Sequence, residues 1–335
     1  MMSDHPPRNL GLDLVRVTEA AALKAGRWMG LGNPDAADNE ASEAMFRALN
    51  SLSMEGRIVI GEEGRLGQHS LLDSGTRVGN GEGPEVDVVV DPIDGRNRLA
   101  LGYSDAISVV GVAPRDTMWA PAPAAYMEKI VVDYAAADAL VPECMDAPAA
   151  WTLALVARVK RKSVRDLVVF ILDRPRHRDL VEEIRSAGAR VLLRSDGDVA
   201  GALIAAHPTS NVDILMGVGG ISEGVISACA VKSLGGHMLG RLAPQSESEW
   251  TAVQAAGLDP KQVVDCDELV RTDEIFFAAT GITDGLLLSG AIYHGTVAET
   301  ESLVLRAETR TRRHIHTTHL LDVSIPEERL NGTAS

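Results

Sequence analysis

The chain has little of what would tie it to an oxidising compartment, a membrane or a nucleic acid. Its 335 residues include only 3 cysteines, Cys144, Cys229 and Cys266, scattered without a C-x-x-C pair. That spacing supports neither a disulfide framework nor a cysteine zinc site. No apolar run approaches the length needed to span a bilayer, and the polar, proline-containing start lacks the apolar stretch of a secretory signal. Basic residues are the minority. The 32 Lys and Arg against 47 Asp and Glu give a net charge of −15, with no basic patch, which argues against nucleic acid or an anionic membrane as partner. These absences predict a cytoplasmic location. The 45% hydrophobic and 24% charged shares are those of an ordinary globular protein, and the length suits two domains or one large α/β unit.

The richest stretch is Val86-Asp87-Val88-Val89-Val90-Asp91-Pro92-Ile93-Asp94-Gly95. A β-branched run with apolar residues at alternate positions predicts a buried strand, and Pro92 is expected to end it because proline cannot donate to the ladder. Asp91 and Asp94 then leave together at a strand's C-terminal end, where α/β proteins place ligands, while Gly95 permits close backbone approach. Clustered carboxylate oxygens suit a hard divalent cation shared with a phosphate. A solvated turn uses the same residue types.

Upstream, residues 12–29 have helical spacing, closed by Gly30 and Gly32, and a second helix is expected from about 40 to 52 with Asp38 at its N-cap. Residues 57–60 form a short strand running into Gly61-Glu62-Glu63-Gly64, and 65–85 a long loop. Downstream, strands are expected at 106–112 and 126–132, and a patternless stretch at 135–148 suggests a domain boundary near 150. Residues 167–172 read as a buried strand opening into Asp173-Arg174-Pro175-Arg176-His177 and a helix. Arginines beside a helix N-terminus make a phosphate site. A strand at 191–193 leads to Asp196-Gly197-Asp198, expected to cap a helix at 199–206, so strand, polar turn and helix repeat as in a parallel α/β sheet. The strand at 212–216 runs into Gly217-Val218-Gly219-Gly220-Ile221-Ser222-Glu223-Gly224. Ser222 stands where a dinucleotide fingerprint needs its last glycine, so NAD is rejected. Further strands are expected at 275–279 and 303–306. His314, His316 and His319 have metal-like spacing, but with no carboxylate nearby to orient them they read as a polar terminal strand. The tail after 325 is polar, and disorder is expected there.

Together, Val17-Thr18-Glu19-Ala20-Ala21-Ala22-Leu23, Ile60-Gly61-Glu62, Asp91-Pro92-Ile93-Asp94-Gly95, Tyr126-Met127-Glu128-Lys129, Pro175-Arg176-His177, Asp196-Gly197-Asp198, Gly219-Gly220 with Glu223-Gly224, and Ala279-Thr280-Gly281-Ile282-Thr283 resemble, in order, the class II fructose-1,6-bisphosphatases of the lithium-sensitive, inositol-monophosphatase-like phosphatase superfamily. The resemblance implies a layered α-β-α-β-α sugar-phosphatase fold. It divides the chain into a metal-binding phosphatase domain at 1–150 and a sugar-phosphate-binding domain at 151–325 with a returning C-terminal segment. It also implies hydrolysis of a sugar bisphosphate, first of all fructose-1,6-bisphosphate, within carbohydrate metabolism and gluconeogenesis, by a homo-oligomer (dimer or tetramer) using Mg²⁺ or Mn²⁺. Carried over position by position, Asp38, Glu62, Asp91, Asp94 and Glu223 match the metal ligands, Asp94 replacing the usual Glu. Asp94, Gly95, Arg96, Tyr126, Arg174, Arg176, Asp196, Asp198 and Gly220 match substrate contacts, Arg174 replacing a common Lys. Asp38, Glu62, Glu63 and Arg96 fall at the reacting phosphate.

Two positions depart from the family. After Asp-Pro-Ile-acid-Gly the family places a Thr or Ser that orients the attacking water, and here it is Arg96. The loop after Gly61-Glu62 lacks the family's Asp, for which Glu63 or His69 are the available substitutes. Arg96 can bind phosphate but cannot relay a proton. Three readings follow: a slower or differently specific phosphatase, one acting on another sugar bisphosphate such as sedoheptulose-1,7-bisphosphate, or a sugar-phosphate-binding pseudoenzyme.

Overall fold

The computed structural model describes residues 10–61 and 70–321. Helix α1 (Leu10–Ala25) is followed by α2 (Pro34–Asn50) and strand β1 (Glu55–Ile60). Helix α2 starts earlier than its hydrophobic spacing suggests. Asn33 caps it, its side chain accepting the Ala36 N–H at 3.1 Å, and Pro34 supplies the first turn. Asp38 is therefore a buried residue inside the helix and not its cap. The described part of the loop before the central strand contains β2 (Arg77–Val78), a short strand antiparallel to β1.

Strand β3 (Glu85–Asp94) carries the stretch around which the sequence is organised. Pro92 does not end it. The pairing with β4 (Ile107–Pro114) shifts between Asp91 and Asp94, and an irregularity of that kind accommodates a residue without an N–H. Short helix α3 (Arg96–Ala100) joins the two strands, beginning at Gly95, whose φ of +94° favours glycine. The chain then changes sheets. β5 (Tyr126–Val132) pairs with β8 (Ile214–Gly220) and β9 (His237–Leu242). The transfer thus lies between Pro114 and Tyr126, and most of the stretch at 135–148, expected to be patternless, falls in two 3₁₀ turns (Tyr134–Ala139 and Pro142–Met145) packed on the second sheet.

Between these strands come α4 (Ala149–Lys160), β6 (Val168–Leu172), α5 (Arg178–Ser186), β7 (Arg190–Arg194), α6 (Asp198–Ala206) and α7 (Ile221–Leu234). β8 extends through the glycine run to Gly220, four residues past its expected end at Met216. After β9 follow α8 (Glu247–Ala255), β10 (Val264–Asp265) and α9 (Cys266–Leu269). The chain then returns to the first sheet with β11 (Phe276–Gly281), β12 (Ile292–His294), β13 (Val297–Arg306) and β14 (Thr311–Leu320).

Five layers result, the α-β-α-β-α order expected. The first sheet runs β12-β13-β11-β4-β3-β1-β2 with β14 on β13, and the second β10-β9-β5-β8-β6-β7. Alternation along β3 shows how the layers assemble. Val86, Val88 and Val90 join the core under α1 and α2, whereas Val89 points to the central core with α6 and α7. Each such fully buried valine contributes about 1.5–3 kcal/mol. A third core packs α4 and α5 on the outer face of the second sheet. The histidines of β14 are a terminal strand, as expected, but carboxylates do lie beside them. Glu301 is 3.5 Å from His314 and 3.6 Å from His316, and Glu19 is 3.9 Å from His319. Sequence distance concealed these neighbours. Among the described residues no helix is long and apolar enough to cross a membrane.

Candidate active site

The acids of β3 sit where the first sheet meets the central helices. Asp91, 1% exposed, accepts the Ile93 N–H at 3.0 Å. Asp94, 3% exposed, reaches across to the start of α6, its Oδ1 accepting the Asp198 N–H at 3.0 Å and its Oδ2 the Ala200 N–H at 2.7 Å. The capping expected of Asp196 and Asp198 is therefore done by Asp94; Gly197, at the N-cap, has no side chain to offer. Burial and the neighbouring Asp91 charge push the Asp94 carboxyl well above the usual carboxylate range, against the pull of the Ala200 N–H.

Asp38 is buried on α2, and Glu223 stands in the first turn of α7, its Oε2 accepting from Ser222 Oγ at 2.7 Å. A Cβ at Gly220 would lie 2.1 Å from Glu223 Oε2, so the absence of a side chain there is what admits the carboxylate. Glu62, Glu63 and His69 lie outside the described residues. Among the described residues no three acid, histidine or cysteine side chains stand together as a ready-made metal-holding group. The expected convergence of carboxylates is visible only in part, because Asp94 is turned to the α6 amides. The donor chemistry nonetheless fits a hard cation: buried oxygen ligands whose mutual repulsion raises a carboxyl pKa are what a divalent ion relieves.

Beside these acids opens a cleft of about 740 Å³. Asp94, Glu223, Gly220, Tyr126, Arg174, Arg176, Asp196 and Asp198 all line it. A short wall from Ala120 to Ala125, together with Val59 and Ile60, supplies the apolar surface. Arg174 lies 3.3 Å from Asp196, which also takes the Asn97 amide at 3.4 Å. Arg176 rests over the Tyr126 ring at 5.4 Å and donates Nε and Nη2 to the Val218 carbonyl at 3.2 and 2.8 Å. Burial and the neighbouring Arg174 charge lower its pKa, while Tyr126 and Asp198 oppose the shift. Two guanidinium groups lining a polar cleft have the charge and fork geometry that suit a phosphate.

Arg96 is placed differently from its expected partners. It does not line the cleft. Among the described residues its ion-pair partner is Asp35 at the start of α2, 3.7 Å away, and its buried Nη1 has no hydrogen-bond partner. On that side it faces the helix carrying Asp38.

Sequence reasoning gave no role to two residues behind the cleft. Lys129, with no exposed surface, is ion-paired to Asp198. His177, 2% exposed, donates from Nδ1 to the Leu172 carbonyl at 2.7 Å and accepts the Val218 N–H on Nε2 at 2.8 Å. The signal for Lys129 was its position on the inward face of β5, between Met127 and Val131.

The family described as bacterial fructose-1,6-bisphosphatase, glpX-encoded, matches residues 8–319. The chain is 40% identical over 328 residues to the fructose-1,6-bisphosphatase class 2 of Haemophilus influenzae, covering 94% of this chain and 97% of that protein. It is 38% identical over 333 residues to the fructose-1,6-bisphosphatase 1 class 2 of Escherichia coli K12, covering 96% of this chain and 98% of that protein.

Proposed function

The chain belongs to the bacterial, glpX-encoded fructose-1,6-bisphosphatase family, and from that premise we propose that it is a phosphoric monoester hydrolase converting fructose-1,6-bisphosphate and water to fructose 6-phosphate and phosphate. The observation that carries the reading is the lining of one cleft, which brings the carboxylates of Asp94 and Glu223 together with Arg174 and Arg176, the groups a two-phosphate sugar needs.

In this reading Arg174 and Arg176 hold the phosphate that is retained, with Arg176 kept in place by Tyr126 and the Val218 carbonyl. Asp196 and Asp198 accept sugar hydroxyls, and Gly220 leaves room for substrate beside Glu223. Asp38, Glu62, Asp91, Asp94 and Glu223 would hold Mg²⁺ or Mn²⁺. Such ions, when bound, polarise the phosphoryl group and lower the pKa of a water. Asp38 and Glu62, assisted by Glu63, orient that water and take its proton as its oxygen bonds to phosphorus and the P–O bond to the sugar breaks, and a proton passes to the departing sugar oxygen. Arg96 offsets Asp35 at the start of α2 and, lying outside the cleft lining, turns from Asp35 to contact the reacting phosphate when substrate is bound. We place the reaction in the cytoplasm, for which three buried, unpaired cysteines are suited, and assign a homo-oligomer, to be read by light scattering.

A second reading has a specific observation behind it. Arg96 points to Asp35 and its Nη1 meets no hydrogen-bond partner among the described residues, so a chain that binds sugar phosphate without turnover is the alternative. A phosphate-release screen over six- and seven-carbon sugar bisphosphates, with each metal and without, separates them. Release from fructose-1,6-bisphosphate supports the first, release only from a seven-carbon substrate moves the specificity, and binding without release from any supports the second.

A further inference from the structure

Lys129 is a charge where the fold calls for an apolar side chain. On β5 the inward-facing neighbours Met127 and Val131 are fully buried in the central core, and Lys129 stands between them, also with no exposed surface. An unpaired ammonium there would be strongly unfavourable. It is paired: Nζ donates to Asp198 Oδ2. The pocket that admits this pair is made by a missing side chain, since a Cβ on Gly219 would fall 1.8 Å from Asp198 Oδ2 and 2.8 Å from Lys129 Nζ. Asp198 itself borders the cleft. Its backbone N–H is fixed by Asp94 Oδ1, and its Oδ1 meets no donor among the described residues. Backbone and one carboxylate oxygen are held from opposite sheets, which leaves the other oxygen for a ligand.

We propose that Lys129 is a positioning residue for substrate recognition: it holds the Asp198 carboxylate immobile at the cleft wall, so that Oδ1 accepts a hydrogen bond from a sugar hydroxyl. The inference rests on the proposed function, and it deepens it by naming what recognises the sugar as distinct from its phosphates. Lys129 touches no substrate. Removing it leaves the nearly buried carboxylate without the partner that fixes Oδ2, so the side chain is free to turn and the acceptor at the cleft wall is lost.

The test is a double-mutant cycle with Lys129→Met, Asp198→Asn and the pair, reading KM and kcat for fructose-1,6-bisphosphate, KM for a generic aryl phosphate, and the melting temperature. Loss of a charge-assisted contact predicts KM for the bisphosphate raised roughly 10- to 100-fold in Lys129→Met, with kcat and the aryl phosphate KM little changed. Adding Lys129→Met to Asp198→Asn should raise KM no further, because the lysine acts only through that carboxylate. If Lys129→Met does not fold, the pair, which buries no lone charge, is compared with Asp198→Asn alone. Equal KM values support the proposal, and a further rise overturns it. Unchanged KM in a folded Lys129→Met, or equal losses on both substrates, also overturns it. A wild type that neither hydrolyses nor binds the bisphosphate overturns the proposed function instead, and the positioning role with it.

Discussion

Replacing Arg176 by Ala should separate recognition of a second phosphate from phosphate-ester hydrolysis as such. In the structure Arg176 spends Nε and Nη2 on the Val218 carbonyl and lies over Tyr126. The guanidinium is therefore held in place before any ligand arrives, and little ordering cost remains to be met on binding. A charge-assisted hydrogen bond contributes about 1.5–3 kcal/mol, which at 1.36 kcal/mol per decade is about 10- to 150-fold in kcat/KM. The Val218 carbonyl loses its side-chain donor, at about 1 kcal/mol of stability, a loss seen in the melting temperature and not in the substrate ratio. The assay is phosphate release from fructose-1,6-bisphosphate and from an aryl monophosphate by the same preparations. The bisphosphate should lose the full factor and the aryl ester little, with Arg176→Lys in between because lysine keeps the charge but not the fork. Equal losses on both esters would refute the assignment and make the arginine a structural strut.

Three further outcomes follow from the same geometry. His177 is held neutral, its pKa lowered from 6.5 first by burial. The unfolded chain therefore binds the proton more readily. Stability is complete above pH 6.5 and falls as the pH drops through that value towards the lower folded pKa, at up to about 1.4 kcal/mol per pH unit; a His177→Gln protein whose denaturation midpoint keeps the same slope below pH 6.5 would contradict this. Arg96→Thr should raise KM for substrate roughly tenfold or more if the guanidinium clamps phosphate, whereas a rise in turnover of up to ~10²–10⁴-fold would show that water orientation is what the arginine displaced. Asp87, fully buried, accepts the Thr117 and Met118 N–H groups at 3.0 and 3.3 Å and faces Arg57 at 3.1 Å; Asp87→Ala orphans those two N–H groups while Arg57 keeps Asp116 and should cost about 2–4 kcal/mol by denaturant melting, and a loss under 1 kcal/mol would mean water replaces the carboxylate.

What could be read from sequence was what depends on local pattern. The alternation Val86, Val88, Val90 identified a buried strand, the strand–turn–helix rhythm around Asp196 identified an α/β sheet, and the order of short motifs identified the layered fold. The errors have a common origin in tertiary pairing. Pro92 was expected to stop β3, but a shift in the β3–β4 register accommodates it. Asp38 was expected at a cap that Asn33 in fact provides. Asp94 was legible as an acid at a strand end, but its hydrogen bonds to Asp198 and Ala200, more than a hundred residues away, depend on how the first sheet meets α6. Lys129 acquires a role only through Asp198, which another element brings beside it. Glu301 came beside His314 and His316 only through the β13–β14 register.

The central claim is that this chain releases phosphate from a sugar bisphosphate with a divalent ion held by buried acids. The most direct measurement is phosphate release from fructose-1,6-bisphosphate by protein first stripped with a chelator and then given Mg²⁺ or Mn²⁺. Release absent after stripping and restored in proportion to added metal, with stoichiometric fructose 6-phosphate, is the expected result. No release under any metal condition from protein that still binds fructose-1,6-bisphosphate, or release indifferent to the chelator, would contradict it.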